Sequence, residues 1–272
     1  MTTTFTTPAS LAYRAKLAAV LGSTPRFADI IRYHVQRFQV SGSQQVFDSL
    51  RSGTAVLQTL EQCSTYLAAY GDLHRIKLES AYQQLFTTSK PLTGPVEVID
   101  WGCGQALGSA LLNDYLTRHQ PAVTVARFTL VEPSAVALAC GVDHLALLRP
   151  GTPVRAVQAS AEEITPGQVA TAPDCPKIHL LANVLDMPAL DYGALARTIR
   201  ASQRGLNLFV CVSPAISGGR DGRLRAFRDT FAGVTPLSER TDPLKGVVFG
   251  VRAMRPAERI ICRNECLFSV LR

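Results

Sequence analysis

The chain has 272 residues, of which 47% are hydrophobic and 18% are charged, a composition that excludes disordered and fibrous proteins. Its formal net charge is +7, and the absence of any run of about 18 consecutive apolar residues excludes a membrane-spanning helix. The threonine-rich first ten residues lack the basic and apolar regions of a secretory signal. We therefore expect a cytoplasmic protein of one or two domains that does not enter a membrane.

The first third of the chain is predicted to be helical. Over residues 9–88 apolar side chains recur at helical spacing, and no strand pattern interrupts them. The segment 89–95, which reads SKPLTGP, is the clearest boundary in the sequence because it is rich in turn-forming residues. We therefore predict a helical N-terminal domain over residues 1–92, acting as a lid or substrate wall, and a second domain over residues 93–272.

The second domain shows a different pattern, in which short β-branched runs alternate with helical segments. Strands are predicted at 96–100, 125–131, 154–157, 178–182 and 206–212, and helices at 109–119, 134–148, 192–202 and 224–231. This alternation predicts an α/β domain with a doubly wound, mostly parallel sheet. The last two apolar runs, 246–252 and 260–270, have no helix between them and predict a C-terminal antiparallel hairpin.

A glycine-containing turn follows the first predicted strand, in the sequence Ile-Asp-Trp-Gly-Cys-Gly from Ile99 to Gly104. Ligands of doubly wound sheets bind outside the carboxyl ends of the strands, at the point where strand order reverses. Gly102 and Gly104 would let the backbone turn tightly and approach a ligand closely. The helix after the turn presents unpaired N–H groups to an anionic group.

A carboxylate ends the second predicted strand, because the run Arg127-Phe-Thr-Leu-Val-Glu132 places Glu132 at its carboxyl end. Such a carboxylate can accept two hydrogen bonds from a ribose diol. The glycine turn and Glu132 together, in this order on consecutive strands, predict a ligand that contains a nucleoside.

The sequence lacks the motifs of several other enzyme classes that share an α/β fold. The dinucleotide fingerprint requires a third glycine at position 107, where this chain has Leu107, and Glu132 lies 28 residues beyond Gly104 instead of about 20. The Gly-x-x-x-x-Gly-Lys-Ser/Thr motif of nucleoside triphosphatases is absent, as is the Gly-x-Ser-x-Gly motif of α/β-hydrolases.

The run from Asp100 to Gly104 resembles the first motif of class I S-adenosylmethionine-dependent methyltransferases, an acid-x-Gly-x-Gly pattern. The resemblance covers roughly residues 95–272 and includes the strand order and the closing strand pair. It implies a Rossmann-like fold and S-adenosyl-L-methionine as the cofactor. The third glycine of the family motif would fall at Ala106, where this chain departs from the family.

The resemblance also implies roles for individual residues at the cofactor. Asp100 and the backbone from Gly102 through Cys103 to Gly104 would hold the methionine portion, and Glu132 would bind the ribose hydroxyls. The run Val157-Gln-Ala-Ser-Ala-Glu-Glu-Ile resembles the segment that reads the adenine edge. In it we expect Ser160 and Ala161 at the adenine, with Glu162 as an alternative contact.

The fourth predicted strand continues into His179-Leu-Leu-Ala-Asn-Val-Leu-Asp-Met, which resembles the family segment that borders cofactor and substrate. Its polar members Asn183 and Asp186 are expected at the cofactor and at the acceptor, respectively. A sulfonium methyl already has a good leaving group, so alignment and exclusion of water can carry most of the reaction. Where the acceptor has to lose a proton, Asp186 and His74 are the candidate bases, and His179 is a weaker one.

The seven cysteines are spread along the chain without a Cys-x-x-Cys pair, and Cys262 and Cys266 have no histidine or cysteine near them in sequence. This spacing predicts neither a metal site nor a disulfide framework. We expect reduced thiols that pack as small apolar groups.

The positive charge is concentrated in the last quarter of the chain. Residues 200–272 contain 13 Lys and Arg against 6 Asp and Glu, whereas residues 1–199 contain 15 of each. We favour a solvated surface, with RNA binding as an alternative.

The function expected is methyl transfer to a small-molecule or macromolecular acceptor. The alternatives are a methyltransferase-like binding or assembly subunit and an RNA methyltransferase that uses the arginine-rich region; the oligomeric state stays open.

Overall fold

The computed structural model describes residues 8–215 and 222–272. Between residues 8 and 93 the regular structure is helical, as predicted. These helices are α1 (Pro8–Val20), α2 (Phe27–Ser41), α3 (Gln44–Ser49) and α4 (Leu60–Thr88), with a 3-10 turn over Arg51–Gly53 before α4. Ser43 and Thr59 cap α3 and α4, each accepting a hydrogen bond from a backbone N–H three residues later.

The described part of the chain after residue 93 alternates between strands and helices. The strands are β1 (Gly94–Trp101), β2 (Val123–Val131), β3 (Val154–Val157), β4 (Lys177–Ala182), β5 (Leu206–Pro214), β6 (Val234–Arg240), β7 (Leu244–Gly250), β8 (Arg255–Ile261) and β9 (Arg263–Leu271). The helices are α5 (Leu107–His119), α6 (Ala135–Leu148), α7 (Pro166–Val169), α8 (Tyr192–Ser202) and α9 (Arg223–Arg228).

Seven of these strands form one sheet in the order β3-β2-β1-β4-β5-β9-β6. Strands β1 to β5 pair in parallel, and β9 runs antiparallel to both β5 and β6. Residues 96–101 of β1 are all buried, because helices cover both faces of the sheet at its centre. The strand order reverses between β1 and β4, so the carboxyl end of β1 lies at the switch point where ligands of such sheets bind.

The predicted fold class is confirmed, but the predicted terminal hairpin of residues 246–252 and 260–270 is wrong. Strand β7 instead pairs with β8 in a separate two-stranded sheet, and β9 inserts between β5 and β6. In the main sheet β9 is therefore the antiparallel strand, and it pairs with both β5 and β6. Strand β6 was not predicted because Pro236 interrupts its pattern, and its register with β9 shifts between Pro236 and Ser238.

The helical block shares a core with the sheet. Apolar residues of α1, α2 and α4 belong to the same buried cluster as those of β1, α5 and α6. The Tyr82 hydroxyl on α4 donates to the carbonyl of Gly108 at 2.8 Å, and the backbone N–H of Phe27 donates to Asp114 at 2.7 Å. The division into two domains at residue 92 therefore remains a sequence prediction.

Five of the seven cysteines are buried as free thiols.

A buried polar network, here called the sealed network, connects four helices beneath the glycine turn. It consists of Tyr13, His34, Ser64 and His144, and it ends on the carbonyl of Gln105. The Tyr13 hydroxyl lies 2.9 Å from Nε2 of His34 and 2.7 Å from Nε2 of His144.

The proton positions in the sealed network follow from its acceptor-only end. The Gln105 carbonyl lies 3.0 Å from Nδ1 of His144, so this nitrogen must donate and Nε2 must accept from Tyr13. Tyr13 then accepts from His34, whose Nδ1 accepts from Ser64 at 2.8 Å. Burial lowers the pKa of His34 to about 3 and that of His144 to about 4, so both rings stay neutral.

Candidate functional site

The turn between β1 and α5 has an unusual backbone. Gly102, Gly104 and Ala106 all adopt left-handed conformations, with φ of +64°, +53° and +58°. A Cβ at Gly102 would lie 2.8 Å from a methyl group of Val184, whereas a Cβ at Gly104 would meet no atom within 4 Å. Gly102 is therefore required by the protein itself, while the space in front of Gly104 is open cavity.

Ala106 stands at the position where the family motif has its third glycine. A left-handed conformation costs a residue with a Cβ about 1 kcal/mol or more, and its surroundings hold Ala106 in this state because its side chain is fully buried. Ala106 therefore adopts a left-handed conformation that glycine would adopt at a lower cost.

Asp100 stabilises the start of the helix after the turn. Its Oδ2 accepts hydrogen bonds from both the backbone N–H and the hydroxyl of Ser109, each at 2.9 Å. Burial raises the pKa of Asp100 to about 6, against the lowering effect of these hydrogen bonds. Asp100 and Cys103 both border a small cavity of about 50 Å³ behind the glycine turn. Burial also raises the pKa of the Cys103 thiol, which makes it a poor nucleophile.

Glu132 lies at the carboxyl end of β2, as the sequence predicts, and it is 9% exposed. One carboxylate oxygen accepts from the N–H of Gly104 and the other from the N–H of Ser134, both at 2.9 Å. Burial raises the pKa of Glu132, and the two backbone donors oppose that shift. Since each carboxylate oxygen can accept two hydrogen bonds, each retains one acceptor position for a ligand.

The glycine turn and Glu132 border a cavity of about 300 Å³, here called the first cavity. Six of the residues predicted to bind the cofactor line it: Gly102, Gly104, Glu132, Ser160, Ala161 and Asn183. Its other walls are largely apolar, with Leu57, Ile164 and Leu190 among them. A cavity with apolar walls and a few polar groups at one end is the usual form of a small-molecule site.

The residues predicted at the adenine lie in a turn after β3. Ser160 donates from both its backbone N–H and its hydroxyl to Glu163, at 3.0 and 2.9 Å. Glu162 accepts from the backbone N–H of Asp191 at 3.3 Å. The Ser160 side chain therefore shapes the turn, and Ala161 contributes an apolar surface to the cavity.

A second cavity, of about 370 Å³, adjoins the first. Tyr66, Asn183 and Met187 line both cavities, and so does the loop at residues 53–54. Both candidate bases, His74 and Asp186, line the second cavity. Helix α4, the loop after β4 and the end of β5 at Pro214 together form its walls.

A chain of hydrogen bonds, here called the open network, runs along this cavity through Lys77, Asn183, His74 and Tyr66. The Lys77 ammonium donates to Oδ1 of Asn183 at 2.7 Å, and the Asn183 amide lies 2.5 Å from Nδ1 of His74. Nε2 of His74 lies 3.1 Å from the Tyr66 hydroxyl. Asn183 adopts a left-handed conformation at the end of β4, with φ of +56°, which asparagine tolerates better than most residues.

The directions of these hydrogen bonds follow from Lys77. An ammonium can only donate, so Asn183 uses its oxygen for Lys77 and its NH₂ for His74. Nδ1 of His74 must then accept, and Nε2 donates to Tyr66. Burial lowers the pKa of His74 well below its ordinary value, with the charge of Lys77 adding to the effect. With its lone pair occupied and its pKa lowered, His74 is poorly suited to act as a base.

Lys77 is the residue that sequence reasoning missed. A lysine on a helix is usually exposed, yet Lys77 is only 5% exposed. Burial lowers its pKa to about 8, against an upward effect of Asp186. The only sequence feature that could have indicated Lys77 is its position three residues after His74, on the same face of the helix.

Asp186 accepts a hydrogen bond from the Ser213 hydroxyl at 3.0 Å. It does not cap the next long helix, because Asp191 caps α8 through the N–H of Ala194 at 2.9 Å. His179 lies outside both cavities. It is fully buried, accepts from the Trp101 indole at 3.1 Å and donates to Asn207 at 3.0 Å.

Arg223 holds the loop that separates the two cavities. Its guanidinium donates to the carbonyls of Leu185, Met187 and Leu190 at 2.7, 3.1 and 2.8 Å. The same group lies over the Tyr192 ring, 5.1 Å from its centre. Three backbone carbonyls are thus fixed by one side chain, which gives the loop a defined shape.

The arginine-rich last quarter does not present all of its charge to solvent. Ion pairs within residues 222–272, or from them to α3, include Arg225–Glu239, Arg240–Asp242, Arg252–Asp48 and Arg263–Glu265.

In the described residues no group of three or more His, Cys, Asp and Glu side chains is placed to hold a metal ion. The described helices include none that combines the length and apolar character needed to cross a membrane.

No protein-family model and no curated protein sequence matches the chain. The sheet order and the single antiparallel strand agree with the predicted resemblance. The chain has a doubly wound α/β fold with a seven-stranded, mostly parallel sheet. Similar solved structures include a plantazolicin methyltransferase in complex with SAH, 10% identical with a TM-score of 0.47, where the match covers 88% of this chain and 98% of that one.

Two further solved structures are similar to the chain at low sequence identity. A precorrin-6y C5,15-methyltransferase from Geobacter metallireducens is 12% identical with a TM-score of 0.47, over 72% of this chain and 86% of that one. An rRNA methylase from Streptococcus thermophilus is 11% identical with a TM-score of 0.46, over 72% and 97%. At these identities, function has to be inferred from the residues of the chain itself.

Proposed function

We propose that the chain is an S-adenosylmethionine-dependent methyltransferase that binds its cofactor in the first cavity and its acceptor in the second. The observation that supports this most strongly is the pairing of Gly104 with Glu132. The glycine leaves open space at the end of β1, and the buried carboxylate on the neighbouring strand borders the same space.

The first cavity has the features that such a cofactor requires. Glu132 retains two acceptor positions for a ribose diol. The apolar surface from Ala161, Ile164 and Leu190 suits a purine ring. Asp100 and the backbone at Cys103 border the small cavity behind the turn, where the amino-acid portion would bind.

When bound, the cofactor supplies a methyl group on a sulfonium, whose departure leaves a neutral thioether. The chain itself supplies position and exclusion of water. Tyr66, Asn183 and Met187 line both cavities and would therefore surround the point where the two ligands meet. Arg223 keeps the intervening loop in place through its three carbonyl contacts.

The proposal is tested by calorimetric titration with S-adenosylmethionine, S-adenosylhomocysteine and NAD. We expect micromolar binding of the first two, which is about 8 kcal/mol, and none of NAD. Glu132→Gln should weaken binding roughly 10- to 100-fold because hydrogen bonds to a charged acceptor are lost. Gly104→Ala should weaken it as well, since its methyl group would occupy the cavity.

Two matched controls separate loss of the site from loss of folding. Gly233 has φ of +68° and open space at its Cβ, so Gly233→Ala imposes a similar backbone strain away from both cavities. Glu258→Gln removes an exposed carboxylate from β8. Unaltered affinity in both cavity variants would overturn the assignment of the first cavity. Cofactor binding without transfer to any class of acceptor would instead favour the binding-subunit alternative.

A further inference from the structure

We propose that the second cavity takes a small aromatic molecule with a weakly acidic hydroxyl group, and that Lys77 binds this hydroxyl and accepts its proton. The inference rests on the proposed function, since it identifies the acceptor class of the same site. It is carried by the walls of the cavity and by the position of one buried amine.

The walls of the second cavity favour a flat, apolar molecule. Two tyrosine rings, Tyr66 and Tyr70, form part of the surface with their centres 5.1 Å apart and their planes inclined by 58°. The remaining apolar wall consists of Leu73, Met187, Pro188 and Pro214. Aromatic rings pack well against such surfaces, and a volume of about 370 Å³ accommodates a molecule of one or two rings.

Lys77 supplies the polar recognition group. Its ammonium can donate three hydrogen bonds, and within the described residues one of these goes to Asn183. No carboxylate in the described part of the chain lies within ion-pair distance of Lys77. A buried cation with donors to spare favours an anionic or ionisable oxygen and disfavours a cationic amine.

The other titratable groups at the cavity do not compete for this role. His74 has its Nδ1 lone pair occupied by the Asn183 amide, and Tyr66 stays protonated because burial raises its pKa. Asp186 is engaged by Ser213, and its charge disfavours a phosphate, which would carry a second negative charge into the same space. Burial lowers the pKa of Lys77 to about 8, so a useful fraction is neutral near neutral pH.

The reaction balances without a further reactant. The neutral amine of Lys77 accepts the proton of the aromatic hydroxyl and becomes an ammonium. The resulting oxygen forms a bond to the methyl carbon as the bond from that carbon to sulfur breaks, and the electron pair remains on sulfur. The products are an aryl methyl ether and S-adenosylhomocysteine, and Lys77 returns its proton to solvent.

The test uses the full chain saturated with S-adenosylhomocysteine and 4-nitrophenol as a coloured probe. Binding beside Lys77 should lower the pKa of the probe by about one unit, a tenfold change in its ratio of ionised to neutral form. The absorbance of the phenolate reports this shift without any turnover. Lys77→Met should abolish the shift, whereas Lys245→Met, at an exposed lysine of β7, should leave it unchanged. With S-adenosylmethionine, 4-nitroanisole should form.

Calorimetry with S-adenosylhomocysteine on each variant separates the two proposals. If it binds to no variant, the proposed function fails. S-Adenosylhomocysteine binding to all variants leaves two outcomes that would show the acceptor class to be wrong. One is the absence of a pKa shift of 4-nitrophenol in the wild type, and the other is the same shift in Lys77→Met. Binding of 4-nitroaniline or 4-nitroanisole as tightly as 4-nitrophenol also overturns the inference, and it does so even if Lys77→Met does not fold. Methylation of RNA in place of phenols would have the same consequence.

Discussion

The chain contains two networks of tyrosine and neutral histidine, and they differ in how they end. The sealed network ends on the Gln105 carbonyl, and every nitrogen of His34 and His144 has a protein partner. The open network ends at Tyr66 and Lys77, which both face the second cavity. Nearly the same set of side chains is therefore closed within the core in one place and open to a cavity in the other.

The difference shows that a lowered histidine pKa alone does not identify a functional site. Burial lowers the pKa of His34 and of His74 alike. What distinguishes the two networks is whether donors remain for a ligand once the protein's own hydrogen bonds are assigned. Lys77 and Tyr66 retain such donors, whereas the Tyr13 hydroxyl has none.

The largest expected effect is on folding, from removal of the Tyr13 hydroxyl. Tyr13→Phe leaves the Nε2 atoms of both His34 and His144 without a partner in the core, which should cost about 3 kcal/mol of unfolding free energy. Urea denaturation at pH 7.5 measures this. Tyr33→Phe is the control, because Tyr33 is only half-buried. A loss below 1 kcal/mol in Tyr13→Phe would contradict the assigned hydrogen bonds.

A smaller effect is expected from pH. His34 and His144 have folded pKa values of about 3 and 4, against about 6.5 in the unfolded chain. The unfolded chain therefore binds more protons below pH 6.5, and the stabilisation by these neutral rings is lost as pH falls from 6.5 towards 4. Each ring should contribute a loss of about 1 kcal/mol by pH 5.5.

Two carboxyl groups act in the opposite direction. Burial raises the folded pKa of Asp100 and Asp114 to about 6. Their ionisation lowers the unfolding free energy above pH 6, and this loss is recovered as the pH falls through 6. With His74 and His179 adding to the histidine effect, a net loss on the order of 2 kcal/mol is expected between pH 7.5 and 5.5. Equal unfolding free energies at these two pH values would show that the histidines are not held neutral.

The smallest expected effect is from the end of the open network. Tyr66→Phe removes the acceptor for His74 at the border of a cavity, where water can replace it. The unfolding free energy should fall by less than 1 kcal/mol, clearly less than in Tyr13→Phe. The same urea titrations provide the comparison. Equal losses in the two variants would mean that the open network is as sealed as the other.

Local order in the sequence predicts where the glycine turn and Glu132 lie in the fold. Gly102 and Gly104 directly follow a buried strand, and Glu132 ends the next one, so parallel pairing of β1 with β2 brings them together. Once strands and order are known, this edge of the sheet follows, including Asn183 after β4.

The parts that could not be predicted depend on contacts between distant segments. Lys77 meets Asn183 across 106 positions of sequence, and a lysine on a helix carries no sign of burial. The terminal hairpin was assigned wrongly because β8 begins with polar residues around Pro256 and has no alternating pattern. The pattern of the apolar runs 246–252 and 260–270 therefore predicts one hairpin. In the structure the first of them, in β7, pairs with β8 instead.

Helix α4 contributes Tyr66, Tyr70, His74 and Lys77 to the wall of the second cavity, all within about three turns. The residues expected to hold the cofactor come instead from the ends of β1, β2 and β4 and from the turn after β3. Tyr70 and Lys77 line the second cavity but not the first, so on the proposed function their substitution would change which acceptor binds and leave the walls of the first cavity in place. Divergence of substrate choice among proteins built this way should therefore be sought first in α4.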